Sequence, residues 1–359
     1  MTCDTAPVRI GEELNVDSLT EYLRGKIESV ENGITVQQFP SGHSNLTYLL
    51  RTNKEGPEYV LRRGPLGTVA PKAHDMAREF RLLQMVHPYF SPAPTVFLLC
   101  EDPAVLGSVF YLMERRRGII MRDAVPPELA GSPNYPQHIS EGFIDCLARL
   151  HAIDVFNTGL VALGKPDGFI KRQVEGWGER WRRAITDDMP KASATKMDDV
   201  ISWLGDNMPV SPAPTLVHND YKLDNIMLHI EGLPSVAAVL DWEMATVGDP
   251  LVDVGLALCY WTYAAQAART RTHELPSLTS QPGWHTRDQF LQRYERQTGR
   301  DVSQIGYYEV LGIFKLAAIL QQIYYRFKCG QTGDPRFRNF GERVDSLIEL
   351  ASTLTEKLT

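Results

Sequence analysis

The stretch Leu216-Val217-His218-Asn219-Asp220-Tyr221-Lys222-Leu223-Asp224-Asn225-Ile226-Met227-Leu228 constrains this chain more than any other. Two apolar runs flank a polar loop, the pattern of short strands joined across a turn that carries functional groups. The loop holds His218, Asp220 and Asn225 in the spacing H-x-D-x-x-x-x-N. A second run of β-formers, Val236-Ala237-Ala238-Val239-Leu240, ends in Asp241-Trp242-Glu243. Together they make a short hairpin with carboxylates and an amide at its ends. Asp and Asn are common turn residues, and Asp224-Asn225 alone reads as a turn. The ordered set is what points to chemistry.

The rest of the chain changes character once. Ile34 to Phe39, Asn45 to Thr52 and Tyr59 to Arg63 read as strands separated by Pro40-Ser41-Gly42 and Lys54-Glu55-Gly56-Pro57, which suits antiparallel pairing. Lys72 to Val86 carries Met76, Phe80, Leu83 and Val86 at helical spacing, and Val96 to Cys100 and Val109 to Glu114 read as further strands. After Gly118 helices take over. Ile139 to His151 is amphipathic, with Ile139, Phe143, Cys146, Leu147 and Leu150 on one face. Tyr308 to Phe327 and Phe340 to Leu358 are the clearest later helices. With 359 residues the chain has room for two or three folding units. The division expected is 1–115, β-rich, and 116–359, α-rich.

Composition excludes several classes. Lys plus Arg number 37 against 44 Asp plus Glu, a formal charge of -7, so there is no electrostatic footprint for nucleic acid. Cys3, Cys100, Cys146, Cys259 and Cys329 are scattered and never in a C-x-x-C pair, which fits reduced thiols without zinc or disulfides. Met1 to Asn15 is polar and acidic and lacks the order of a signal peptide. The most apolar stretch, Val254 to Ala268, is too short to span a bilayer. A cytoplasmic protein with no membrane partner is the expectation; oligomeric state is left open.

Phosphoryl transfer needs the set around Asp220. An acceptor hydroxyl must be oriented and its proton accepted by a carboxylate, and magnesium must be held by hard oxygen ligands. The kinase template supplies an Asp, an Asn five residues later and a further Asp on the next strand, which Asp220, Asn225 and Asp241 match in order. His218 is read as orienting the loop. Upstream, Ser41-Gly42-His43-Ser44-Asn45 sits where a phosphate-covering loop belongs, although an ordinary hairpin turn fits those residues equally. Tyr59-Val60-Leu61-Arg62 sits where the template has V-A-I-K. By the two-residue strand period Val60 and Arg62 share a face, so Val60 can roof a base while Arg62 reaches phosphate, with Glu79 of the following helix as its pair.

Through Gly42-His43-Ser44-Asn45 with Tyr48, Val60-Leu61-Arg62-Arg63, Leu216 to Leu228, Val239 to Glu243, and Gly248-Asp249-Pro250 with Asp253, the chain resembles a known group. It is similar to the aminoglycoside phosphotransferase and choline kinase-like branch of the protein kinase-like superfamily. Within that branch it most resembles the phosphotransferase-type domain at the N-terminus of certain acyl-CoA dehydrogenases and its stand-alone bacterial relatives. The resemblance implies an α+β, bilobal protein kinase-like fold, with a small antiparallel β lobe carrying one helix and a larger, mostly helical lobe. It implies Asp220 as catalytic base, Asn225 and Asp241 as Mg2+ ligands, and ATP or GTP as cosubstrate. Ser44, Asn45, Val60, Arg62 and Glu79 fall on the nucleotide side. The strand Tyr111 to Glu114 would be the hinge, with the backbone of Met113 and Glu114 binding adenine. Gly248-Asp249-Pro250 and Asp253 are expected to be scaffolding. One departure is Arg62, where the template has lysine; arginine is permanently charged and forks to phosphate, but is bulkier.

The acceptor expected is a small molecule with a hydroxyl. Before the catalytic loop stand Lys165, Lys171, Arg172, Arg180, Arg182, Arg183, Lys191 and Lys196 against Asp167, Glu175, Glu179, Asp187 and Asp188. A basic wall with Trp177 and Trp181 suits an anionic acceptor, a hydroxy acid or hydroxyacyl-CoA, better than a polycation. A solvated helix face with both tryptophans in the core reads the same residues equally well. The alternatives are an aminoglycoside- or choline-type kinase and a nucleotide-binding inactive module. A protein kinase ranks last, because the three-glycine loop, D-F-G and A-P-E are missing.

Overall fold

A computed structural model describes residues 4–40, 45–52, 56–65, 75–122, 124–131, 134–229, 234–263 and 278–359. It divides into two compact units, Met1–Gly118 with Ala237–Glu243, and Ile119–Val236 with Met244–Thr359. The segment carrying Asp241, which the sequence division put with 116–359, therefore packs with the first unit.

In the first unit β1 (Thr35–Gln38), β2 (Leu46–Arg51), β3 (Glu58–Arg63), β4 (Val96–Cys100) and β5 (Phe110–Glu114) form an antiparallel sheet in the order β1-β2-β3-β5-β4. Pairing sets Tyr48 opposite Leu61 and Leu61 opposite Leu112. Tyr48, Leu50, Tyr59, Leu61, Phe110 and Leu112 share a core with Leu19 and Leu23 of α1 (Val16–Leu23). The strand period then places Val60 and Arg62 on the other face. The sequence reading had no α1, although Asn15 caps it by accepting from the Ser18 amide and Leu19 and Leu23 sit one turn apart. The helix expected from Lys72 is α2 (Met76–Val86), capped by Asp75, which accepts from the Arg78 amide; 72–74 lie outside the described residues. A short α3 (Pro103–Leu106) is capped by Asp102.

The second unit carries the polar loop on two small antiparallel pairs. β6 (Ile119–Ile120) pairs with β8 (Ile226–His229), and β7 (Thr215–Val217) with β10 (Thr246–Gly248). β9 (Ser235–Val239) takes the chain from this unit into the first. Around the pairs are α4 (Pro127–Ala130), α5 (Tyr135–His151), α6 (Phe169–Arg183), α7 (Lys191–Asp206), α8 (Leu251–Leu258), α9 (Arg287–Thr298), α10 (Ile305–Lys328) and α11 (Phe340–Leu358). The amphipathic face read from Ile139 to His151 is buried in α5. In α6 Trp177 and Trp181 are buried, while Lys171, Arg172, Arg180, Arg182 and Arg183 lie on its exposed face. The solvated-face reading of that segment is the one the helix adopts. Among the described residues no helix is long and apolar enough to cross a membrane.

α10 is the axis of this unit, packing against α6, α7, α8 and α11. Its approach to α8 is set by glycines. A Cβ on Gly255 would lie 2.3 Å from the Tyr308 carbonyl oxygen, and one on Gly312 would lie 3.0 Å from the Gly255 carbonyl oxygen. Alanine normally stabilises a helix interior by about 1 kcal/mol relative to glycine. Here backbone stands in the way, so Gly255→Ala is expected to lower stability by about 1–3 kcal/mol, the usual cost of overpacking. Urea denaturation checks the sign; a gain in midpoint would show that the two helices can part.

Candidate active site

In the first unit the site is organised by one guanidinium. Arg62 on β3 is 9% exposed. Its Nη2 donates to Asp241 Oδ1, and its Nε lies 3.3 Å from Glu79 Oε2 on α2. The strand period turns Arg62 to this face, and α2 presents Glu79 in its first turn. Asp241 is the better-bonded of the two carboxylates. Glu79 is deeper, and its Oε2 has no hydrogen bond. Burial accordingly pushes the Glu79 carboxyl up to about 7, against the pull of Arg62. For Arg62 the balance is opposite: burial disfavours its charge, but Glu79 and Asp241 raise it well above the ordinary value. The buried Tyr111 hydroxyl, beside Glu79, is raised as well.

Asp241 has a left-handed backbone, φ +66°, a conformation Asp tolerates better than most residues. Two residues on, Glu243 accepts from Asn45 Nδ2 at 2.9 Å, and its carbonyl accepts from Arg78 Nη1 at 2.8 Å. Val60 lies opposite Met113 across the β3–β5 pair, both buried. Glu114 donates its amide to Thr95 O at 2.8 Å, and its side chain accepts from the Thr95 amide and meets Arg116, so its amide serves the sheet. Ser44 lies outside the described residues.

In the second unit the loop after β7 is fastened before it is chemical. Asp253 on α8 accepts from the His218 amide through Oδ2 and from the Asn219 amide through Oδ1, both at 2.6 Å. His151 Nε2 meets the same Oδ2 at 3.2 Å, and its Nδ1 meets Tyr294 Oη at 2.8 Å. Burial alone would raise Asp253, but His151 and the bonds from the loop bring it below the ordinary carboxylate value. His218 is fully buried and its Nδ1 accepts the Asp220 amide at 3.3 Å, an orienting contact. Asn219 is left-handed, φ +64°, and its Nδ2 donates to Met244 O. Asp249 accepts from Tyr308 Oη and the Leu251 amide, and a Cβ on Gly248 would strike the Phe169 ring at 2.7 Å.

Asp220 emerges from this frame with its carboxylate 18% exposed. Asn225 Nδ2 donates to Asp220 O at 2.8 Å and to Asp220 Oδ2 at 2.9 Å, and Lys222 Nζ lies 2.9 Å from Oδ2. With the amide nitrogen engaged, Asn225 keeps its carboxamide oxygen as a donor atom for a cation. A carboxamide oxygen is a hard ligand of the kind Mg2+ takes. Among the described residues no group of three or more His, Cys, Asp or Glu is placed to hold a metal.

Three residues, two in this unit and one in the first, were not read from the sequence as site residues. Lys222 also lies over the Tyr260 ring, 5.1 Å from its centroid. Burial disfavours its charge, but Tyr260 and Asp220 raise it above the ordinary lysine value. Tyr260 sits in a π-helical turn, Cys259–Tyr263, that continues α8. Lys315 on α10 donates to Asn219 O. Glu243 is the third. The signal for Lys222 was its spacing, two residues after Asp220. For Lys315 it was a lone charge in the apolar run Leu311-Gly312-Ile313-Phe314-Lys315-Leu316-Ala317-Ala318.

The sequence pattern of the phosphotransferase enzyme family (APH) matches residues 35–303. Acyl-CoA dehydrogenase family member 10 of Mus musculus is 34% identical over 350 residues, 97% of this chain and 32% of that protein. The chain thus spans about a third of that relative's length. A solved structure from Ralstonia eutropha, described as a candidate aminoglycoside phosphotransferase, has a TM-score of 0.78 at 29% identity, covering 96% of this chain and 99% of that one. Choline kinase of Cryptosporidium parvum shares the fold, with a TM-score of 0.65 at 12% identity over 96% of each chain. A family pattern over most of the chain and a kinase-like α+β fold lead to one assignment: the chain belongs to the phosphotransferase enzyme family.

Proposed function

We propose that this chain transfers the γ-phosphoryl group of ATP or GTP to a hydroxyl of an anionic small molecule, a hydroxy acid or its acyl-CoA ester. The observation that carries the transfer is the fastened loop, which holds the Asp220 carboxylate between Asn225 Nδ2 and Lys222 Nζ. Asp220 accepts the hydroxyl proton as the acceptor oxygen bonds to the γ-phosphorus and the bridging oxygen leaves with the nucleoside diphosphate. Arg62 meets nucleotide phosphate and is kept in place by Glu79; Val60 and Met113 cover the base; Ser44 and Asn45 belong to the loop over the phosphates. Magnesium held by Asn225 and Asp241 would supply neutralisation of the phosphate charge. The template calls for an Asp, an Asn and a further Asp in these roles, and little covalent chemistry beyond positioning.

The anionic acceptor is supported by the cation beside the Asp220 carboxylate. Lys222 lies 2.9 Å from the Asp220 carboxylate and over the Tyr260 ring. A polycation would meet like charge there, which costs affinity. The relatives named acyl-CoA dehydrogenases carry a matching segment in one polypeptide with the rest of their length, and an acceptor bearing an acyl-CoA group suits such a shared chain.

Asp220→Ala is expected to lower turnover by about 10²–10⁴-fold, the usual share of a general base. Release of nucleoside diphosphate with Mg2+ present, measured in a coupled assay, checks it; undiminished turnover in the variant rules out the role. In the same assay the wild-type chain is expected to turn over hydroxy acids or hydroxyacyl-CoA esters and to leave aminoglycosides and amino alcohols unreacted. Turnover of the cationic acceptors alone would overturn the anionic reading while leaving the kinase reading in place.

A further inference from the structure

Lys315 is a buried cation for which the proposed reaction has no use. It stands on α10, 3% exposed, in the middle of an apolar helix face. Taking an ammonium out of water is expensive unless it is bonded and paired. The hydrogen-bond partner of its Nζ is Asn219 O, the carbonyl of the peptide that leads into Asp220. The groups facing it are Asp220 and Lys222 from the loop, Asp253 from α8 and Arg180 from α6, with the Trp177 ring 5.6 Å away. Asn219 is therefore held on three sides: its amide by Asp253, its side chain by Met244 O and its carbonyl by Lys315. A left-handed non-glycine residue persists only where its surroundings over-determine it.

We infer that Lys315 is a positioning residue for the phosphoryl transfer, whose ammonium fixes the Asn219 peptide and so the direction in which Asp220 presents its carboxylate. The inference rests on the kinase reading for its effect on rate, but not for its effect on the loop. Burial pushes Lys315 down to about 8, and the nearby Asp220 and Asp253 oppose that shift only in part. A lysine with a lowered value carries its charge below that pH and loses it above. The arrangement is therefore complete on the acid side of about pH 8 and incomplete on the alkaline side.

The test is Lys315→Met, with Lys315→Gln as a second variant that keeps a hydrogen-bond donor without the charge. In K315M, amide exchange at Asn219 and Asp220 is expected to accelerate while the amides of α8 and α10 keep their protection. With an accepted substrate, kcat is expected to fall by about 100-fold, the scale of a misplaced catalytic group, with KM for nucleotide and acceptor little changed. The alkaline limb of the wild-type kcat profile, centred near pH 8, should be absent in both variants. K315Q should fall less than K315M. Unchanged loop exchange in K315M, or a limb near pH 8 that survives in K315Q, overturns the inference. Exchange that accelerates across α8 and α10 together also overturns it, because it assigns Lys315 to the fold alone. Loosened loop amides in a chain inert to every acceptor would instead sink the kinase reading and leave the positioning role standing.

Discussion

The structure of the second unit depends on the Asp253 carboxylate. Its two oxygens accept consecutive backbone amides, His218 and Asn219, and a ring nitrogen of His151 meets one of them. Hydrogen bonds to a charged group contribute about 1.5–3 kcal/mol each. A non-glycine residue in the left-handed region costs about 1–3 kcal/mol. Two such bonds from one side chain outweigh the strain at Asn219, so the turn that aims Asp220 is a consequence of where α8 begins. That position follows in turn from Gly248-Asp249-Pro250. Asp249 caps the turn through the Leu251 amide and ties it to Tyr308 on α10, and Gly255 lets α8 lie against α10. Scaffold and site are thus one hydrogen-bonded chain of cause.

The first unit solves a different electrostatic problem. One guanidinium serves two carboxylates, which leaves an excess negative charge on the buried side of β3. The system resolves it asymmetrically. Asp241 takes the hydrogen bond, while Glu79, deeper and unbonded at Oε2, is the carboxyl that burial carries up to about 7. Arginine suits this place because it has several donors on a rigid plane and keeps its charge when buried. A lysine would offer one nitrogen to both partners.

Much of this was legible because polar residues in strands and loops carry their own spacing. His218, Asp220 and Asn225 lie within one loop, so their relation needs no tertiary knowledge. Val60 and Arg62 could be assigned to one face because a strand alternates strictly, and the Arg62–Glu79 contact followed from the helix after β3. The contacts that were not legible join residues far apart in sequence. Asn45 meets Glu243 across 198 residues and Lys315 meets Asn219 across 96. Helix α1 was passed over because its buried anchors, Leu19 and Leu23, sit in a polar, acidic stretch. The basic residues around Trp177 misled for the opposite reason. Their number suggested a wall, but the helical period turns Trp177 and Trp181 inward and leaves most of the charges in water, paired as Lys171–Glu175 and Arg183–Glu179.

That last point alters how acceptor charge should be argued. Exposed pairs such as Lys171–Glu175 contribute roughly 0–1 kcal/mol and say little about a ligand. A cation whose charge is held against burial says more, because its desolvation has to be offset by something nearby. Lys222 meets that standard: it is partly withdrawn from solvent, lies over Tyr260 and is bonded to Asp220. Lys315, behind the same loop, meets it only in part, because burial lowers it despite the nearby Asp220 and Asp253. Around Asp220 the charges that are costly to place are therefore of both signs, Lys222 and Lys315 against the buried Asp253, with the exposed Asp224 beside them. Under the proposal of an anionic acceptor, the negative charge it brings would meet Lys222, the cation bonded to Asp220.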